Sequence, residues 1–167
     1  MSEIQAIASG AQRKPKILLV DDDAAMLASL RMLLKANGHV AETAQGGEKA
    51  IELLQASAYD LMLLDLQMPG VGGHEVLRYL KENQIDTKVI VVSGETSFTA
   101  VKDALTEGAY DFVRKPYDAG ELLTTINNGL QSRGLEHQHK AMEHALKESE
   151  KLHRYIVNNS PDIVYVL

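Results

Sequence analysis

Two hydrophobic periods alternate along most of the chain. From Lys16 to about Gln131, short apolar runs are separated by stretches in which apolar residues recur every three or four positions. Runs of the first kind predict strands, and the spacing of the second kind predicts helices. The predicted strands are Ile17–Val20, His39–Ala44, Leu61–Leu64, Val89–Val92 and Asp111–Arg114. A strict alternation of strands and helices indicates repeated βα units and a parallel sheet.

The polarity of each run predicts its place in the sheet. The first, third and fourth runs are apolar at consecutive positions, which is typical of central strands covered on both faces. The second run alternates in polarity and fits an edge strand. Right-handed crossovers then predict an α/β fold with a doubly wound five-stranded parallel sheet in the order 2-1-3-4-5, which is flavodoxin-like.

The last predicted helix is unusually long. It is expected to begin near Asp118, a good N-cap, and Gly134 interrupts its pattern only weakly. Beyond Gly134, residues recur at heptad spacing: Leu135, Met142, Ser149 and Ile156, with Gln138, Ala145 and Leu152 between them. This imperfect heptad predicts that residues 133–157 form a coiled-coil signalling helix through which two chains make a homodimer. A solvated linker helix rich in Glu, Lys and His is the alternative.

Composition excludes several classes of protein. A chain of 167 residues, 45% apolar and 24% charged, accommodates one globular domain and a remainder. The net charge of −6 disfavours direct binding to nucleic acid or to an anionic membrane. The absence of cysteine excludes disulfides and thiolate metal sites. Since no transmembrane run or signal peptide is recognisable, and residues 1–14 look like a flexible segment, a cytoplasmic location is expected.

Polar side chains stand at the carboxyl ends of four predicted strands. Asp21 and Asp22 follow the first, Asp65 the third, Ser93 the fourth and Lys115 the fifth. Ligands of open α/β sheets bind outside the carboxyl ends of the strands, at the point where the strand order reverses. In the predicted order, the first and third strands flank that point, so their carboxylates are expected to converge.

Converging carboxylates predict a particular chemistry. They repel one another unless a cation neutralises them, and an oxygen-only ligand set favours Mg²⁺. Lys115 adds a positive charge suited to phosphate, and Ser93 adds a hydroxyl donor. Asp65 is the expected nucleophile, because a carboxylate can accept a phosphoryl group as an acyl phosphate.

Taken in order, four segments make the chain resemble the receiver domain of two-component response regulators. The segments are Leu19–Asp23, Leu63–Gly70, Val92–Gly94 and Phe112–Tyr117. The resemblance extends from Lys16 to about Ser132, and we expect a receiver domain over residues 15–132. It implies a signalling domain rather than a metabolic enzyme, one that catalyses only its own phosphorylation and dephosphorylation.

The resemblance also assigns roles to individual residues. It implies that a histidine kinase or a histidine phosphotransfer protein phosphorylates Asp65, with Asp21 and Asp22 around Mg²⁺. The backbone carbonyl of Gln67 would be a further metal ligand, and Lys115 would precede a cis peptide bond to Pro116. Ser93 and Phe112 would form the switch that alters the surface of the fourth helix, fifth strand and fifth helix. Phe112 stands where tyrosine is frequent in the family. Its side chain has no hydroxyl group, so the resemblance implies a switch that is read out without one.

The sequence leaves two rival functions open. A Mg²⁺-dependent phosphohydrolase with an aspartate nucleophile would need a general acid two residues after it, where this chain has Gln67. A docking pseudo-receiver would not need the complete set of site residues.

Residues 158–167 resemble the start of a PAS domain, which predicts that the sequence is a piece of a longer protein with a C-terminal sensor or output module.

Overall fold

Five strands and five helices alternate in the part of the chain that the structure describes. The computed structural model describes residues 13–94 and 97–159. The strands are β1 Lys16–Asp21, β2 Val40–Gln45, β3 Leu61–Leu64, β4 Lys88–Ser93 and β5 Asp111–Arg114. The helices are α1 Ala24–Ala36, α2 Gly47–Ala56, α3 Gly73–Glu82, α4 Phe98–Thr106 and α5 Ala119–Asn159.

All strand pairs are parallel, and the order β2-β1-β3-β4-β5 is the predicted one. The fold is therefore the expected flavodoxin-like α/β fold. The three apolar runs form the central strands β1, β3 and β4, and β2 lies at an edge. Several bounds differ from the prediction by one residue. β1 and β4 each include a polar residue at both ends, since ladder hydrogen bonding extends past the apolar positions. β2 begins at Val40 rather than His39, because the His39 amide donates to the Leu34 carbonyl of α1, and it extends to Gln45.

Alternate side chains of each central strand enter two separate hydrophobic layers. In β1, Leu18 and Val20 belong to the layer formed with α2, α3 and α4, while Ile17 and Leu19 belong to the layer formed with α1 and α5. This alternation follows from the two-residue period of a strand. The sheet is thus covered on both faces, which leaves the ends of the strands as the accessible places for a ligand.

The chain divides into two units, one ending at Leu130 and one beginning at Gln131. The first contains the sheet, α1–α4 and the start of α5, which Asp118 caps by accepting a hydrogen bond from the Glu121 amide at 3.0 Å. The described part of the second is helical from Gln131 to Asn159, without the interruption suggested for Gly134. A single glycine costs only about 1 kcal/mol in a helix, which the flanking helix formers offset.

Some expectations fall outside the described residues. The predicted flexible segment is described only at residues 13–14, where Arg13 pairs with Asp60 at 2.9 Å. Of the PAS-like stretch, Asn158 and Asn159 are the last residues of α5, and residues 160–167 are not among those described. Within the described ranges, no helix is both long and apolar enough to cross a bilayer.

Candidate functional site

Three carboxylates meet at the carboxyl edge of the sheet. Asp21 ends β1, Asp22 follows it, and Asp65 follows β3, the strand paired with β1. One oxygen atom from each residue lies within 4.8 Å of the others. Asp21 and Asp65 are 3% and 7% exposed, whereas Asp22 is exposed to solvent. The predicted convergence of these side chains is therefore confirmed.

Backbone amides of the following loops orient the two buried carboxylates. The amide of Asp23 donates to Asp21 Oδ1 at 2.9 Å, and the amide of Gln67 donates to Asp65 Oδ1 at 3.1 Å. Each loop thereby satisfies one carboxylate oxygen locally, two residues after the aspartate. Asp23 itself caps α1 by accepting hydrogen bonds from the amides of Ala25 and Met26. The triple-aspartate run thus combines two site residues with one capping residue.

Lys115 joins the two buried carboxylates. Its Nζ donates to Asp21 Oδ2 at 2.7 Å and to Asp65 Oδ2 at 3.1 Å. Burial alone would lower the pKa of Lys115, but the hydrogen bonds to Asp21 and Asp65 outweigh burial and raise that pKa above its ordinary value. The ammonium group therefore remains charged at the centre of the cluster. The Lys115–Pro116 peptide bond is cis, as the sequence resemblance implied.

Ser93 and Phe112 lie on the two strands next to this cluster. Ser93 ends β4 and is fully buried, and its carbonyl oxygen accepts a hydrogen bond from the Lys115 amide at 2.9 Å. Phe112 lies in β5, opposite Val91, and packs partly buried against the hydrophobic layer of α2, α3 and α4. This arrangement connects the backbone of β4 directly to the residue that carries the ammonium group.

Gly73 is a site residue that sequence reasoning missed. It begins α3, its amide donates to the Leu66 carbonyl at 3.0 Å, and its Cα faces the Asp65–Leu66 backbone. A Cβ at this position would lie 2.6 Å from Leu66 Cα and closer still to the Asp65 carbonyl oxygen. In the sequence, Gly73 stands in a glycine-rich stretch that also contains Gly70 and Gly72, a composition typical of a turn. The close approach is a tertiary contact, and composition alone does not signal it.

The donor set fits a hard divalent cation. Asp21, Asp22 and Asp65 offer three oxygen ligands close to one another, and Mg²⁺ is usually held by one or two carboxylates together with water and phosphate oxygens. The amide of Gln67 points to Asp65. A ligand role for the Gln67 carbonyl stays a prediction.

Comparison with known proteins agrees with this geometry. A family model described as the response regulator receiver domain matches residues 17–127. The cell cycle response regulator CtrA of Brucella ovis is 34% identical over 112 residues, which cover 67% of this chain and 48% of CtrA. The chain thus spans about half the length of the curated relatives it matches.

Solved structures show the same fold. A receiver domain of a Francisella response regulator has a TM-score of 0.68 at 28% identity, covering 71% of this chain and 98% of that one. A CheY-like receiver domain protein from Methanospirillum hungatei has a TM-score of 0.70 at 28% identity, covering 74% and 98%. From the matched sequence, the sheet order and the acidic cluster with its lysine, we conclude that the chain belongs to the response regulator receiver domain family.

Proposed function

We propose that this chain is a phosphorylation switch that accepts a phosphoryl group on Asp65 from a histidine kinase or a histidine phosphotransfer protein. The observation that carries the proposal is the Lys115 ammonium group, hydrogen-bonded at once to Asp21 and Asp65 beside a third carboxylate. Receiver domains typically bind Mg²⁺ through such an acidic cluster, and Asp21, Asp22 and Asp65 would hold the ion here.

The transfer asks for little covalent chemistry from the protein. An Asp65 carboxylate oxygen forms a bond to phosphorus while the bond from phosphorus to the donor's histidine nitrogen breaks. The electron pair of the broken bond stays on the imidazole, and Asp65 becomes an acyl phosphate. Mg²⁺ held by Asp21, Asp22 and Asp65 would supply positive charge that neutralises the phosphoryl oxygens. Lys115 supplies a second positive charge, held at 3.1 Å from Asp65 by its other bond to Asp21.

The contacts of Asp65 suit its proposed role as the reacting carboxylate. The amide of Gln67 holds its Oδ1, so rotation of the side chain is restricted while attack takes place. Asp21 makes the same two kinds of contact, with the Asp23 amide and with Lys115, at the end of β1. The choice of Asp65 as the phosphoacceptor therefore rests on its position in the receiver domain pattern, which leaves Asp21 the positioning and metal-binding role.

The output route is the second part of the proposal. A phosphoryl group on Asp65 would attract the Ser93 hydroxyl and displace the end of β4, which allows Phe112 to turn inward. The surface of α4, β5 and α5 would then change. The bond from the Lys115 amide to the Ser93 carbonyl supports this coupling, because it ties the end of β4 to β5. Through α5, the change would control a C-terminal sensor or output module with a PAS-like start, in a homodimer.

Two other functions remain alternatives to be tested. A phosphohydrolase would release product continuously from phosphoesters. Gln67 cannot act as its general acid, because a side-chain amide does not ionise near neutral pH and so cannot transfer a proton to the leaving group. A docking pseudo-receiver would accept no phosphate. Against it stands the complete set of contacts between Lys115, Asp21 and Asp65.

Intact mass measurement tests the proposal directly. After incubation with a small acyl phosphate and Mg²⁺, the native chain should gain the mass of one phosphoryl group, and Asp65→Asn should gain none. Asp23→Asn is the matched control, since it also removes one carboxylate but retains an N-cap residue for α1. Its phosphorylation should resemble that of the native chain. Equal labelling of Asp65→Asn and the native chain would refute the assignment, and multiple turnover of phosphoesters would favour the hydrolase.

A further inference from the structure

The helical segment Gln131–Asn159 carries a seven-residue repeat in its charges as well as in its apolar positions. Glutamates recur at 136, 143 and 150, each followed four residues later by a basic residue at 140, 147 and 154. In the middle pair, Lys147 Nζ donates to Glu143 Oε1 at 3.0 Å. Glutamate four residues before lysine is the favourable orientation on a helix surface. The repeat therefore defines one outer, charged face.

The opposite face of the same segment is apolar and exposed. Its large side chains are between 46% and 73% exposed: Leu135, Met142, Leu146, Leu152, Tyr155 and Ile156. In a heptad with Leu135 at position a, Met142 and Ile156 also occupy a, Leu152 occupies d, and Leu146 and Tyr155 occupy the flanking e and g positions. The charged repeat occupies b and f, which lie away from such a seam.

We propose that this face pairs with a second copy of the chain as a parallel, in-register two-stranded coiled coil over residues 135–156. The inference deepens the homodimer of the proposed function and is independent of phosphorylation at Asp65. In parallel register, each layer meets its own counterpart. The polar residues Gln138 and Ser149 then face the same residues of the second copy, and the Leu152 layer is leucine at d, which parallel dimers favour.

The antiparallel arrangement with complete overlap mixes polar and apolar layers. Over residues 135–159, it would set Leu135 opposite Asn159 and Gln138 opposite Ile156. Each of those layers would bury an amide against an aliphatic side chain, which costs free energy when the amide finds no hydrogen-bond partner. Parallel pairing avoids both mismatches.

In a second antiparallel arrangement, shifted by one heptad, residues of similar polarity meet at the a and d positions. The contacts at the flanking e and g positions are less favourable. This arrangement leaves Ile156 outside the overlap, places Glu148 beside Ala141 and places His139 beside Leu146. Neither flanking contact is complementary. The flanking positions therefore discriminate against this register, as they do in natural coiled coils.

Parallel pairing gives complementary flanks instead. Position g of one helix lies beside position e of the next heptad in the other helix, so Ala141 meets Leu146 and Glu148 meets His153. Glu148 accepts a hydrogen bond from Lys151 within its own helix at 2.9 Å. Both of those side chains are more than half exposed, at 73% and 55%, so that pair contributes little and does not prevent contact with His153.

The absence of cysteine from the chain allows a direct test by disulfide cross-linking. Ser149→Cys, at an a position, should form a disulfide-linked dimer under mild oxidation about tenfold or more faster than Arg154→Cys, at the outer f position. Both changes are made in the full chain on exposed helix positions, and circular dichroism checks that each variant folds. A mixture of Gln138→Cys and Ser149→Cys chains reports on the shifted antiparallel arrangement.

Each outcome decides the proposal. Self-linking of Ser149→Cys with slow linking of Arg154→Cys supports parallel pairing. Preferential linking between Gln138→Cys and Ser149→Cys chains, equal rates for Ser149→Cys and Arg154→Cys, or a monomer in sedimentation with no cross-link would overturn it. Phosphorylation of Asp65 is measured by mass on the same samples, so a labelled chain without cross-linking rejects the pairing alone and leaves the phosphorylation switch intact.

Discussion

Replacing Asp65 by asparagine should stabilise the protein in the absence of divalent cations. At an effective dielectric constant of about 20, unit charges 4.8 Å apart repel by about 3.5 kcal/mol, and that is the largest separation in the cluster. Repulsion from Asp21 acts in full, and solvent screens the part from exposed Asp22. The attraction to Lys115 at 3.1 Å is about 5 kcal/mol on the same scale.

The repulsion from Asp21 and Asp22 and the attraction to Lys115 nearly cancel, so the desolvation of Asp65 decides whether its charge stabilises or destabilises the fold. Asp65 is 7% exposed, and an ion at such a position loses several kcal/mol of hydration. Asparagine keeps the oxygen that accepts from the Gln67 amide and removes both the repulsion and the charge that has to be desolvated. After allowance for solvent screening, we expect Asp65→Asn to raise the free energy of unfolding by about 1–2 kcal/mol.

Urea denaturation with and without Mg²⁺ is the assay. In a chelating buffer, the midpoint of Asp65→Asn should lie above that of the native chain by about 0.5–1 M. Mg²⁺ at one hundred times its dissociation constant should stabilise the native chain by about 2.7 kcal/mol and the variant far less, which reverses their order. Asp118→Asn removes one exposed carboxylate while keeping an N-cap, and should change neither value. A lower midpoint for Asp65→Asn in chelating buffer would refute the electrostatic reasoning.

Three further changes test a close contact at the site, a glycine in α5 and a hydrogen bond between Tyr59 and β2. Gly73→Ala should cost about 1–3 kcal/mol of unfolding free energy and slow phosphorylation, because the new Cβ meets Leu66 Cα at 2.6 Å; urea midpoints and mass labelling check both effects. Gly134→Ala should instead increase helix content by circular dichroism, a gain of about 0.5–1 kcal/mol, because the new Cβ would meet nothing within 4 Å beyond the local helix backbone. Tyr59→Phe loses the hydrogen bond to Glu42 at 2.8 Å and should cost about 1 kcal/mol. Burial and, after it, the hydrogen bond to Glu42 raise the pKa of Tyr59 in the folded state. The contribution of Tyr59 to the free energy of unfolding is therefore complete below about pH 10 and is lost as the pH rises further. Urea midpoints of both chains across that pH range would show the loss. An unchanged native-to-variant difference above pH 10 would contradict the assignment.

The sequence by itself determined the fold class and the composition of the site. Strands buried on both faces need consecutive apolar residues, so Ile17–Val20, Leu61–Leu64 and Val89–Val92 indicated the central strands directly. Parallel strands bring their carboxyl ends to one edge of the sheet. Asp21, Asp65 and Ser93, which follow those three runs, and Lys115, which follows the fifth predicted strand, could therefore be assigned to a single site without coordinates.

The tertiary structure alone decided how those residues contact one another. Lys115 is 94 and 50 residues from Asp21 and Asp65, and no local pattern specifies that one ammonium group bonds to both. The same holds for Gly73, which packs against the backbone of Asp65 and Leu66 in the loop after β3, and for Asp22, which is exposed although its neighbour Asp21 is buried. The spacing of apolar residues predicts which face of an element is buried, whereas these contacts and exposures depend on how the strands, loops and helices pack in three dimensions.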